Sequence, residues 1–372
     1  MDKPKGSLIS FMANKVKTNG GINLAQGIPA FNPPKELLDI LQKNVFNNLH
    51  QYAPGTGNNF LLQKLEEHYN ISKKRFLIVN GATEALSLLV TYFLKTINGK
   101  FSILAFDPVY ESYKHLPRIF NIPFVAFNLD KNNNINFEEL EQSIKENNVK
   151  LIFLASPGNP FGKVWTKKEV DILVEICTKN RVYLVFDAVY SDLYFDNKPY
   201  FSLNKENEYI FYVNAFSKKF SITGWRIGYL IAPESHMAAI TDIHDYTGLC
   251  SPSILQQAIA EYVDLSNFGA DYTKKLREKL KTNYTLLSDK IEQLGFKPKN
   301  AQGGYFIWTE LPYKFSNGLD FALDLYEKEK VAVVPGIHFS ENGKNIIRIN
   351  IARNNDEINE AVKRIKNYIS KL

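Results

Sequence analysis

Cysteine is scarce: the 372 residues carry two, Cys177 and Cys250, far apart and in no metal-binding spacing. A disulfide framework is therefore not expected. The histidines, His50, His68, His115, His236, His244 and His338, are isolated. With no H-E-x-x-H or C-x-x-C pair, no metal site is expected. No apolar run approaches the roughly 18 residues of a membrane span. The first residues, MDKPKGSLISFMANKVK, hold an apolar stretch too short and too broken by polar residues for a signal peptide. Long runs of like charge are missing as well. Lys and Arg number 45 against 39 Asp and Glu, a net charge of +6, but no run of bases exceeds the three of Lys73, Lys74 and Arg75. That pattern reads as solvated lysines, not as a nucleic-acid surface. These absences lead us to expect a cytoplasmic protein with neither nucleic-acid nor membrane partners.

What is present is an ordinary globular composition, 45% apolar and 23% charged. At roughly 150 residues per domain, the length suggests about two domains. Aromatics reach 13%, with 20 Tyr and 26 Phe, most of which should fill the core. Between residues 76 and 232, β-branched or aromatic runs at 76–80, 101–106, 151–155, 182–186, 210–214 and 228–232 predict strands. Amphipathic stretches at 84–94, 137–146 and 167–179 predict the helices between them, and Thr166 with Glu169 forms a T-x-x-E capping box. Such alternation predicts an α/β domain with a doubly wound, mostly parallel sheet. Farther on, helices are expected at 251–265, 271–294, 321–329 and 357–372, and short strands at 305–309, 331–334 and 346–351. This reads as a smaller α+β domain. The expected division is 40–265 for the large domain, with 1–39 and 266–372 forming the small one.

Ligands of open α/β sheets sit at the carboxyl ends of the strands, so the residues after each strand carry the functional reading. Residues 214–229 read N-A-F-S-K-K-F-S-I-T-G-W-R-I-G-Y. A lysine in a strand-to-helix turn forms imines with carbonyl compounds once its amine is deprotonated. An arginine offers a planar fork for phosphate. The string resembles the lysine motif of class I/II pyridoxal-phosphate-dependent aminotransferases, S-x-S-K-x-x-x-x-T-G-W-R-x-G. By that resemblance Lys218 carries the cofactor as an aldimine, Ser217 and Arg226 bind it, and Lys219 is a bystander.

Other segments resemble the same family in the same order. Residues 186–190, F-D-A-V-Y, resemble D-E-x-Y: Asp187 would pair with the cofactor ring nitrogen and Tyr190 with its 3-oxygen. In 156–162, S-P-G-N-P-F-G, Asn159 would touch that oxygen too and reach toward substrate. The turn G-A-T-E at 81–84 opens a helix, whose N–H groups and dipole suit a phosphate; Ala82 and Thr83 are the matching positions. In D-P-V-Y-E-S-Y, 107–113, Tyr110 would stack on the ring. Tyr52, in Q-Y-A-P-G-T-G, would reach the phosphate of a neighbouring subunit. For substrate, the resemblance implies Gly27 and Ile28 in N-L-A-Q-G-I-P, Tyr305 and Phe306 in Q-G-G-Y-F, and Arg348 in I-R-I-N-I as the clamp on the α-carboxylate. It also implies fold type I, pyridoxal 5'-phosphate as cofactor and a homodimer with shared active sites.

Three positions depart from the family: Ala215 where a phosphate-binding Ser is frequent, Ala188 after Asp187, and Phe161 in place of Thr. The implied reaction moves the amino group of an α-amino acid to a 2-oxo acid in two ping-pong halves. The aromatic and apolar pocket residues, with Tyr246 in 244–252, look most like methionine or kynurenine-type aminotransferases. A pyridoxal-phosphate-dependent cysteine-sulfur β-lyase is the same-fold alternative, and a non-catalytic binding or regulatory protein the other.

Overall fold

The computed structural model describes residues 6–47, 49–130, 133–203 and 206–371. The first five residues of the N-terminal stretch, and Leu372 at the end of the last expected helix, lie outside the described residues. After a first helix, Leu8–Asn19, comes the short β1 (Ile22–Asn23). The large sheet then takes β2 (Phe76–Val79), β3 (Ser102–Asp107), β4 (Phe124–Asn128), β5 (Val149–Ala155), β6 (Tyr183–Asp187), β7 (Ile210–Ala215) and β8 (Gly228–Ile231). Their spatial order is β2-β8-β7-β6-β5-β3-β4, and β8 alone runs against its neighbours. The sheet is thus mostly parallel, as the expected α/β class requires.

Side chains alternate across this sheet with period two, and both faces are buried. Phe186 and Tyr212 join one apolar cluster, packed by Leu61, Leu65, Val170, Leu173 and Ala258 from flanking helices. Val185, Phe211 and Val213 face the other cluster, with Leu89 of helix Ala82–Thr96 and Ile240 of helix Glu234–Thr247. Helix Lys35–Asn44 spans the expected 39/40 boundary, and its Leu37 and Ile40 belong to the large-sheet core. Strand β4 was not expected. It is an edge strand with only Phe127 buried, and its apolar run, Phe124–Phe127, is only four residues long.

The second body is built from both ends of the chain. β9 (Lys297–Pro298), β10 (Phe306–Glu310), β11 (Val331–Ala332), β12 (Val334–Pro335) and β13 (Ile346–Asn350) complete the strands. The expected strand at 331–334 divides here. β11 pairs in parallel with β1, whereas β12 joins the sheet ordered β12-β13-β10-β9. Residues 331–334 are all fully buried, so sequence hydrophobicity could not reveal the switch between sheets. Met12, Leu24, Leu280, Phe321, Ile349 and Ile365 share its core. Backbone bonds from Ile22 to Lys330, Leu24 to Ala332, Asn350 to Leu24 and Ala30 to Ala352 lace the N-terminal segment onto the C-terminal strands.

Candidate active site

The C-terminal ends of β2, β3, β5, β6 and β7 converge on a cavity of about 510 Å³. Its walls include Gly27, Ile28, Ala82, Thr83, Tyr110, Asn159, Asp187, Tyr190, Ser217, Lys218, Arg226, Phe306 and Arg348. Every expected site residue lines it except Tyr52 and Tyr305. Tyr52 is 82% exposed and stands away from this chain's cavity. The expectation that Tyr305 lines the substrate pocket is corrected by its position: the ring is fully buried behind Lys218, and its hydroxyl donates to the Lys218 carbonyl at 2.8 Å. Tyr305 positions the lysine turn. Tyr246 is 87% exposed and also outside.

Lys218 lies on a four-residue helical turn, Phe216–Lys219, directly after β7. Its Nζ donates to the Gly27 carbonyl at 2.7 Å. Burial lowers its pKa to about 8, helped by Arg348 and Arg226 and opposed by Asp187. Roughly a tenth of the amine is then free at pH 7, against less than about 0.1% for an ordinary lysine. Lys219 takes the opposite course, pointing away to Asp192 at 3.2 Å and over the Phe268 ring.

Asp187 ends β6 and is buried. It accepts from the Tyr113 hydroxyl at 2.6 Å and from the Val189 N–H at 3.2 Å. Burial raises its pKa, while those two donors and Lys218 pull it down. Tyr113 had no assigned role in the sequence, although it stands three residues after Tyr110 in the same turn of sequence. Its ring stacks on Phe153 and meets Tyr110 edge-on.

At the far end, helix Ala82–Thr96 begins with Gly81 at φ +79° and no side-chain cap. The first N–H groups of a helix lack intrahelical partners. Those of Glu84 and Ala85 turn back to the Gly81 carbonyl, and Ala82 and Thr83 line the cavity. A Cβ at Gly81 would fall 2.4 Å from Arg226 Nη2, so glycine is what lets the guanidinium lie along the turn. Ser217 Oγ is buried here without a hydrogen-bond partner. An unsatisfied hydroxyl, open helix N–H groups and a guanidinium form a cradle for a phosphate, and Asp187 and Lys218 stand where a pyridine aldehyde needs a carboxylate and an amine. The residues fit pyridoxal phosphate.

The opposite wall comes from the second body. On β13, Ile347 and Ile349 enter the core while Arg348 and Asn350 face the cavity side. Asn350 Nδ2 holds the carbonyls of Gln26 and Ile28 at 2.7 and 3.1 Å. Gly27 is pinned by this path, since a Cβ there would meet Phe306 Cζ at 2.8 Å. Arg348 lies over the Phe306 ring, its carbon 3.9 Å from the centroid, and donates to Asn159 Oδ1 at 2.9 Å and the Ala25 carbonyl at 2.5 Å. Burial lowers its pKa to about 10, so it stays charged at neutral pH. Its Nε is buried without a partner. Beside it, unforeseen from sequence, Ile9, Ser10 and Glu111 close the rim.

The fold is that of the type I pyridoxal-phosphate transferases, and its cavity offers a buried lysine of lowered pKa, a buried aspartate and a phosphate cradle. The profile of aminotransferase class I and II matches residues 19–365, and the chain belongs to that family. It is a pyridoxal-phosphate-dependent transaminase. An aspartate aminotransferase of Sulfurisphaera tokodaii is 28% identical over 97% of this chain and 94% of its own. A (5-formylfuran-3-yl)methyl phosphate transaminase of Methanocaldococcus jannaschii is also 28% identical, over 97% and 95%. Among solved structures, N-succinyldiaminopimelate aminotransferase from Mycobacterium tuberculosis superposes with a TM-score of 0.89 at 22% identity, covering 97% of both chains. These likenesses favour transamination over the β-lyase alternative. Among the described residues no helix is long and apolar enough to cross a membrane.

Proposed function

We propose that this transaminase acts on α-amino acids with neutral side chains, methionine or an aromatic amino acid, passing the amino group to a 2-oxo acid. The observation that carries the reading is the distribution of charge in the cavity. Among the described residues its walls offer three cations, Lys218, Arg226 and Arg348. The first is committed to the imine, the second to phosphate and the third to the α-carboxylate, which leaves none for a distal carboxylate. Ile9, Ile28, Tyr110 and Phe306 supply apolar and aromatic surface instead. Tyr52, Tyr246 and Leu249 are all exposed, and the loop that carries Tyr52 approaches Asp245, Leu249 and Ser253 through Gly55 and Gln51, which supports a homodimer in which Tyr52 serves the neighbouring cavity.

Bound in this cavity, pyridoxal phosphate supplies an electron sink for the charge left when an amino acid loses its α-proton. The chain's own residues do the rest. Arg348 grips the substrate carboxylate through its fork, with Asn159 and Ala25 fixing the guanidinium plane. That grip orients the Cα–H bond toward Lys218. The Lys218 amine, with its lowered pKa, would take the proton from the substrate Cα and give it back during the transfer. Asp187 would hold the ring nitrogen's proton, and the Tyr190 hydroxyl would hydrogen-bond the ring's oxygen. Phe306, Tyr110 and Ile28 keep water from the reacting carbon.

The test is a half-reaction panel. Each amino acid is added to cofactor-loaded protein without a 2-oxo acid, and loss of the cofactor's long-wavelength absorbance is timed. Methionine, phenylalanine and kynurenine should react at least about tenfold faster than aspartate or glutamate, in line with the few kcal/mol that an unpaired carboxylate costs in a closed pocket. A faster aspartate reaction would reject the neutral-side-chain assignment. Pyruvate released continuously from cystathionine would reject transamination in favour of elimination.

A further inference from the structure

Glu111 follows Tyr110 at the first turn of helix Glu111–Ile119, and it lines the cavity on the side of Arg348. Burial works to raise its pKa, yet His338, Ser7 and Arg348 together hold it below the usual carboxylate range. It is an ionised carboxylate in the wall. Its Oε2 lies 2.9 Å from His338 Nε2. His338 is itself buried and precedes Phe339, whose ring centroid is 4.6 Å from the Arg348 guanidinium carbon. Glu111 therefore stands next to the group that receives the substrate's α-carboxylate, and the mechanism leaves it without a task.

We infer that Glu111 is a specificity-determining residue that sets the charge class of the substrate side chain by repelling a distal carboxylate. The inference rests on Arg348 binding the α-carboxylate. An amino acid anchored there carries its side chain past Ile9 and Ser10 along the same rim. A neutral side chain meets only apolar and hydroxyl surface. A distal carboxylate comes within a few bonds of Glu111, in a cavity where like charges at roughly 6–8 Å still interact by more than thermal energy. Selection of this kind works by penalising the wrong partner rather than by gripping the right one.

The experiment measures binding without turnover. Succinate and butyrate both carry one carboxylate for Arg348, lack an amino group and so do not react; they differ in the second carboxylate. Their dissociation constants for cofactor-loaded protein are read from the cofactor's absorbance. In Glu111→Gln, which keeps shape and loses charge, the affinity of succinate relative to butyrate should rise about tenfold. In Glu111→Asp, which keeps charge and loses reach, the ratio should stay within about twofold of the unmodified protein. If Glu111 is only a structural latch, the near-isosteric Gln variant disturbs the site least and the ratio does not move; that result overturns the inference. A ratio that shifts equally in both variants overturns it as well. Because neither probe reacts, failure of this test is distinct from failure of the half-reaction panel.

Discussion

The two walls of the cavity are made in different ways. The cofactor wall consists of short turns, each within a few residues of the end of a large-sheet strand: Ala82 and Thr83 after β2, Tyr110 after β3, Asp187 ending β6, and Ser217 and Lys218 after β7. The substrate wall gathers Ile9, Gly27 and Ile28 from the N-terminal segment, Phe306 from β10, Arg348 from β13 and Glu111 from the large body. One wall inherits its geometry from a sheet buried on both faces. The other depends on two chain ends laced together by a few backbone bonds. Damage to the first should therefore appear in chemistry and cofactor retention, and damage to the second in substrate affinity and choice.

The hardest test of that division uses two adjacent lysines. Lys218→Ala removes the imine-forming amine and should lower kcat by at least about 10³-fold. Lys219→Ala removes a partner of Asp192 on the outer side of the same turn, and its kcat should stay within about tenfold while thermal stability falls. Single-turnover kinetics with the preferred amino acid measure the first, and a melting curve measures the second. A Lys218→Ala protein with near-normal turnover would remove the cofactor wall from the chemistry.

On the substrate wall, Arg348→Lys keeps the charge and loses the planar fork. Charge-assisted hydrogen bonds are worth about 1.5–3 kcal/mol each, so KM for the amino acid should rise about 10–100-fold while kcat changes much less. The measurement is the split between the two constants. A fall in kcat at constant KM would mean that Arg348 shapes the reacting geometry itself, and the separation between the walls would not hold.

This division also explains what the sequence could reveal. Lys218, Asp187 and Arg226 were legible through strings that resemble the family, each tied to a strand end, whereas taken singly a lysine pair or a strand-end aspartate is ambiguous. Arg348 was legible only through family resemblance, since nothing local says that β13 turns it toward Asn159. Tyr305 was expected in the pocket wall from the Q-G-G-Y-F resemblance, but just ahead of β10 its side chain turns behind Lys218, where no local signal places it. Glu111 and Tyr113 lay in plain view in D-P-V-Y-E-S-Y, but their partners are His338 and Asp187, far away in sequence. Strand β4 carries a short apolar run, Phe124–Phe127, but at four residues it does not by itself distinguish an edge strand from a loop.

Tyr113 permits the finest test, since it touches the cofactor wall from behind. Its hydroxyl is one of two donors that favour the charged form of the buried Asp187. Tyr113→Phe deletes that bond with almost no change in shape, and cofactor affinity should fall about 5–10-fold, as expected for one hydrogen bond to a charged group partly offset by the ring's own proton. The apo protein gives a second readout with a definite sign. The Asp187 pKa is raised in the folded state, so between the unfolded carboxyl's value of about 3.9 and the higher native value the folded chain binds more protons. Its contribution to stability therefore falls as pH rises through that window. Removing Tyr113 raises the native value further and steepens the fall, so the variant's melting point should drop more at pH 8 than at pH 4. Equal losses at both pH values would mean that Tyr113 holds Asp187 in place but does not hold its charge.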